Sequence, residues 1–201
     1  MPIAINGSGT VTGISTGGIS DTKAIATAAQ PTGAVLQVVQ KAVTSAYAAS
    51  IGSTETVPTG MFQTITTTTN SSKVLVFVNM TLLVDGSYNG SQWKLRRNSG
   101  TNDVTVSGSS NIFVGDAASN RDQATMAMQG PTQSIGAYNG FSCGTQFLDT
   151  PGNAGAYTYF VAFRDTNTSN NFFYLNRGYN DADDQVQARS TSSITLIEVA
   201  A

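Results

Sequence analysis

Cys143 is the one cysteine of the chain, and there is no histidine. Nucleophilic catalysis needs a base beside the serine or thiol, so the usual Ser-His and Cys-His arrangements are impossible. Cys143 lies in Phe141-Ser142-Cys143-Gly144 within a strand pattern, where a buried, inert thiol is expected. Cleavage of glycosidic bonds uses paired carboxylates, yet the only glutamates are Glu55 and Glu198. Glu198 falls in the closing apolar segment and reads as a structural carboxylate, with Lys73 or Arg164 as its natural partner. No residue is assigned to catalysis and no cofactor is implied. The chain reads as non-enzymatic.

The densest acidic cluster is Asp181-Ala182-Asp183-Asp184. Calcium takes several oxygen ligands from one loop, but this cluster lacks the glycine turn and the distant glutamate of an EF-hand. It reads as a solvated loop, and no metal ligand is assigned. Trp93-Lys94-Leu95-Arg96-Arg97 gathers basic residues, with Trp93, Leu95 and Arg97 on one face of a strand and Lys94 and Arg96 on the other. That alternation describes a half-buried strand. Nucleic acid would need a wider basic surface with exposed aromatics. Three turns place a tyrosine beside an asparagine: Tyr88-Asn89, Tyr138-Asn139 and Tyr179-Asn180. Tyrosine offers a flat apolar face with a polar tip, and asparagine offers both donor and acceptor. The pairing suits a sugar, such as a host surface glycan. It is equally good turn chemistry.

The elements that must position these residues follow from composition and pattern. The 201 residues carry 11% charged and 40% apolar side chains and a net charge of -2. Low charge with that apolar content excludes a disordered chain, and weak acidity gives no field to gather nucleic acid. No apolar run approaches the roughly 20 residues of a membrane span, and no signal-peptide pattern opens the chain. A soluble protein that needs no oxidising compartment is expected.

Residues 1–32 read as an extended arm. Ile3, Ile5, Val11, Ile14 and Ile19 are apolar beads on a glycine-rich backbone, too sparse to order themselves alone. They are the candidate attachment residues. Thr22–Gln30 has the composition of a short helix stopped by Pro31.

Strand signals fill residues 33–201. Val35–Val39, Met61–Ile65, Lys73–Val84, Gln92–Arg97, Asp103–Ser107, Asn111–Gly115, Gln123–Gln129, Gly140–Leu148, Ala156–Phe163, Phe172–Leu175 and the segment from Ser192 onward all read as strands. In Lys73–Val84, Val74, Val76, Val78 and Met80 face one way and Leu75 and Phe77 the other. Ile194, Leu196 and Glu198 likewise alternate with Thr195, Ile197 and Val199. About ten strands without a long helix predict an all-β, jelly-roll-like β-sandwich. A strand apolar on both faces needs a second cover, which sister subunits round a three-fold axis would supply. Val74, Val76, Val78, Leu196 and Glu198 are the candidate residues of that trimer interface.

Several blocks together resemble a family of small bacteriophage virion proteins of the tail-fibre or head-fibre type. Asn6-Gly7-Ser8-Gly9-Thr10-Val11-Thr12-Gly13-Ile14 is similar to the glycine-rich openings of phage fibres. Pro31-Thr32-Gly33-Ala34-Val35-Leu36-Gln37-Val38-Val39 resembles the first strand of their globular domain, and Ser71-Ser72-Lys73-Val74-Leu75-Val76 its central strand. Leu148-Asp149-Thr150-Pro151-Gly152 with Tyr157-Thr158-Tyr159 resembles a late hairpin, and Ser192–Val199 the closing strand. Residues 85–147 depart most from that pattern. The resemblance implies a homotrimeric, jelly-roll-like knob behind an attachment segment, located on the virion and partnered by other capsid or tail proteins. A fibre or spike that touches the host is the first expectation. A capsid decoration protein is the second, and a carbohydrate-binding β-sandwich module unconnected with a virus the third.

Overall fold

The computed structural model describes residues 30–85, 90–128, 140–166, 171–183, 185 and 188–201. The described unit is Pro31–Ala201. The arm with Ile3, Ile5, Val11, Ile14 and Ile19, the short helix read at Thr22–Gln30 except for Gln30 itself, and the turns Tyr88-Asn89 and Tyr138-Asn139 lie outside the described residues.

The described residues form eleven strands and no helix. In chain order they are β1 (Val35–Val43), β2 (Tyr47–Ile51), β3 (Phe62–Thr67), β4 (Lys73–Asp85), β5 (Ser91–Ser99), β6 (Ser110–Phe113), β7 (Met126–Met128), β8 (Phe141–Asp149), β9 (Gly155–Asp165), β10 (Asn171–Leu175) and β11 (Ser192–Val199). They make two antiparallel sheets. The six-stranded sheet runs β1-β11-β4-β10-β2, with β8 on the other edge of β4. The five-stranded sheet runs β3-β9-β5-β6, with β7 also on β5. The chain changes sheet between β2 and β3, β3 and β4, β4 and β5, β7 and β8, β8 and β9, and β9 and β10. The all-β sandwich expected from the alternation is the observed architecture.

β4 organises the larger sheet. Its first half pairs with β11 and its second half with β10, while β8 follows its other edge from Val74 to Leu82. That length explains its sequence: a central strand buried on its inner side carries Val74, Val76, Val78, Met80, Leu82 and Val84 at every second position. Opposite them stand Met61, Ile65, Trp93, Leu95, Tyr157, Tyr159, Val161 and Phe163. The sheets meet at Phe163 and Phe173, whose rings stack with centroids 3.8 Å apart.

Three expectations are corrected. Asp103–Ser107 is a loop rather than a strand. The Asp103 carboxylate accepts the Thr105 N–H at 2.9 Å, and Asn98 Nδ2 donates to the carbonyls of Asp103 and Thr105, so local side-chain bonds replace a ladder. β2 is a strand that the pattern did not announce. The strand at Gln92–Arg97 is buried on both faces, because loop carboxylates cover Lys94 and Arg96. No helix among the described residues is long and apolar enough to cross a membrane.

Candidate functional site

Val74, Val76, Val78, Leu196 and Glu198, expected between subunits, are 2% exposed or less within one chain. The four apolar ones form the core of the protomer. A side chain with no surface in its own chain cannot also make a subunit contact, so the alternate residues of the same strands face outward. The pattern gave the two faces of β4 and β11 correctly. It could not say which face was the inner one, because both are apolar.

The outward face of the larger sheet carries an apolar row in register. Val38 of β1 stands opposite Ile197 of β11, Ile197 opposite Leu75 of β4, and Leu75 opposite Leu148 of β8. Val38 is 57% and Leu148 46% exposed, with Ile197 and Leu75 half-buried between them. The next row is Gln40, Thr195, Phe77 and Gln146, in which Gln40 Nε2 donates to Thr195 Oγ1 at 2.8 Å. Beside Phe77 a hollow of about 350 Å³ opens over Asn79 and Gly144. A Cβ on Gly144 would sit 2.7 Å from the Val78 carbonyl oxygen, so only glycine lets β8 run this close to β4. An antiparallel sheet that faced water would alternate to polar residues here. On this face the apolar residues form one row across four strands, with the polar Gln40, Thr195 and Gln146 in the row beside it.

Glu198 is fully buried, but neither expected cation is its partner. Lys73 pairs with Val199 and so alternates to the other face, while Arg164 binds Asp122 at 2.6 Å. Glu198 instead accepts Gln37 Nε2 at 2.5 Å, the Thr68 N–H at 2.6 Å and Thr68 Oγ1 at 2.8 Å. Burial pushes its pKa up, but hydrogen bonds from Gln37, Ser72 and Thr68 outweigh that and hold it below its ordinary value. Its role is to tie β1 and the turn after β3 to β11.

A second buried group joins Arg97 and Tyr159 on Asp149. Arg97 Nη1 donates to Asp149 Oδ2, and the Tyr159 hydroxyl donates to the same oxygen at 2.8 Å. Burial raises the Tyr159 pKa, with the Asp149 charge adding to it. Burial works against the charge on Arg97, yet Asp149 keeps its pKa above the ordinary value. Cys143 is buried, and burial pushes its thiol up to about 11, opposed by the Trp93 indole N–H. This is the inert state that its strand position predicts.

Of the three Tyr-Asn turns, Tyr179-Asn180 is described and exposed. Tyr179 meets Tyr174 edge-on at 5.8 Å between centroids, and the Arg177 guanidinium lies 5.3 Å from the Tyr174 ring. In the acidic loop, Asp181 is engaged by Arg177 at 3.1 Å and Arg189 at 2.5 Å. Asp184 lies outside the described residues. Among the described residues no group of His, Cys, Asp and Glu is arranged to hold a metal ion.

The charge-bearing region that the sequence did not reveal is the outward face of the smaller sheet. Glu55 bonds Arg96 through both oxygens, at 2.5 Å to Nε and 2.6 Å to Nη2, and lies 3.3 Å from Lys94 Nζ. Asp122 accepts Lys94 at 3.1 Å, Arg164 at 2.6 Å and Gln92. Burial raises the Asp122 pKa, but these donors outweigh it and hold the carboxyl below its ordinary value. Beside this ladder lies a cleft of about 890 Å³, lined by residues that include Gln92, Asn120, Arg121, Asp122, Met128 and Arg164. Glu55 and Asp122 are isolated in sequence, so nothing local marked them as partners. No protein-family model and no curated protein matches the chain.

Proposed function

We propose that this chain is a non-enzymatic structural protein of a bacteriophage particle, of the fibre or spike type. Residues 1–32 dock it on other virion proteins, and the β-sandwich is a jelly-roll-like knob that assembles as a homotrimer and contacts the host surface. The observation that supports this best is the apolar row Val38, Ile197, Leu75 and Leu148. It lies outside a core that one chain already closes, on the broad face of a stiff sheet. In a three-fold assembly the outward face of each copy meets a different part of its neighbour, and these outward residues make one side of that contact. The buried Arg97–Asp149–Tyr159 and Glu198 groups serve rigidity rather than turnover. The experiment is antibody labelling of intact particles, with light scattering of the purified chain. Label on tails or spikes and a mass of about three chains support the reading. Label spread over the head would favour capsid decoration, and no label on particles would refute a virion role.

A further inference from the structure

The geometry points to the cleft beside β5 and β9 as a binding site for an anionic saccharide, a sugar carrying a carboxylate or a phosphate. The inference deepens the host-contact part of the reading above by naming a ligand class. Three observations carry it. First, the cleft is of ligand size, about 890 Å³, and its walls differ in character. Ser119 and Asn120 offer hydroxyl and amide groups, while Ala127 gives a small apolar patch for the C–H face of a sugar ring.

Second, donors are left over. Arg164 Nη1 bonds Asp122, while its Nη2 has no hydrogen-bond partner among the described residues. A ligand in the cleft would be met by that terminal nitrogen, since Nε has no accessible surface. Arg121 also lines the cleft and is exposed, with its backbone N–H bonded to the Ala118 carbonyl and no ion pair on its guanidinium among the described residues. Arg121 and Arg164 both line this space, and a guanidinium matches the paired oxygens of a carboxylate or phosphate.

Third, the local charge is opposite to that of the whole chain. The chain has a net charge of -2, yet the charged residues lining the cleft are Arg121 and Arg164 against Asp122. Asp122 is saturated by Gln92, Lys94 and Arg164, so it does not neutralise Arg121. The surplus is confined to one cleft, which suits a small anion rather than a polyanion.

The test is calorimetric titration of the full chain with glucuronate, glucose 6-phosphate, glucose and inorganic phosphate. The site predicts saturable binding of glucuronate or glucose 6-phosphate, at least about tenfold tighter than glucose and weakening with salt. Arg121→Gln and Arg164→Lys should each weaken it about tenfold or more with unchanged melting, the second because lysine keeps the pair to Asp122 but loses the fork. The two anionic sugars distinguish carboxylate from phosphate as the recognised group. Equal binding of glucose, inorganic phosphate binding as tightly as glucose 6-phosphate, or full affinity in both variants would overturn the assignment. Failure here leaves particle labelling unaffected, so it is distinguishable from failure of the virion reading.

Discussion

Glu198 accepts both the backbone N–H and the hydroxyl of Thr68, at 2.6 and 2.8 Å, across 130 positions of sequence. With Gln37 on its other oxygen, a fully buried carboxylate is stabilised by neutral donors alone. Those donors hold its folded pKa below its ordinary 4.5. The unfolded chain therefore binds the proton more readily, and stability rises with pH through that interval. The contribution is present in full above about pH 4.5 and is lost as the pH falls through the lower folded value. Glu198→Gln turns one acceptor into a donor facing Thr68 or Gln37. It should cost about 1–3 kcal/mol at neutral pH and remove that part of the acid sensitivity, as denaturant titration near pH 7 and pH 4 would show.

The outward row predicts a separable effect. Val38→Lys combined with Leu148→Lys alters two side chains that are roughly half exposed. Each change should move protomer stability by about 0.5 kcal/mol or less, because no core contact is lost. In the proposed trimer, light scattering should then fall from about three chain masses to one. A variant that stays trimeric would place the subunit contact elsewhere.

Cys143 should be unreactive in the folded protein. With its thiol raised to about 11, almost no thiolate is present at neutral pH, and the side chain is buried. A thiol reagent should label it slowly in buffer and promptly in denaturant, followed by absorbance. Fast labelling of the native chain would contradict its packing against Trp93.

Where one face of a strand had a strong period, the fold was legible. β4, β9 and β11 alternate large apolar residues over eight to thirteen positions, and their boundaries agree with the pattern to within two residues. β2, Tyr47-Ala48-Ala49-Ser50-Ile51, escaped because only its two ends carry large apolar groups, and pairing with β10 defines it. Asp103–Ser107 had a strand's composition but an Asx-type turn's hydrogen bonds. The charged ladder was illegible for a different reason. Glu55 meets Arg96 across 41 positions, and Asp122 meets Lys94 across 28, so only the fold makes them neighbours. Lys94 and Arg96 therefore read as solvent-facing when they are in fact paired and buried. Tyr179-Asn180 is an exposed corner as expected of a turn, and its contact with Tyr174 gives the structural half of that reading.

The most direct test of the account is assembly with and without the arm. Phage particles would be produced with either the full chain or a chain lacking Met1–Gln30, then purified and probed for the protein, with thermal melting of both forms as control. Both forms should melt cooperatively, because the described core lies within Pro31–Ala201, and only the full chain should be found on particles. Equal incorporation of the shortened chain, or absence of the full chain from purified particles, would contradict the account.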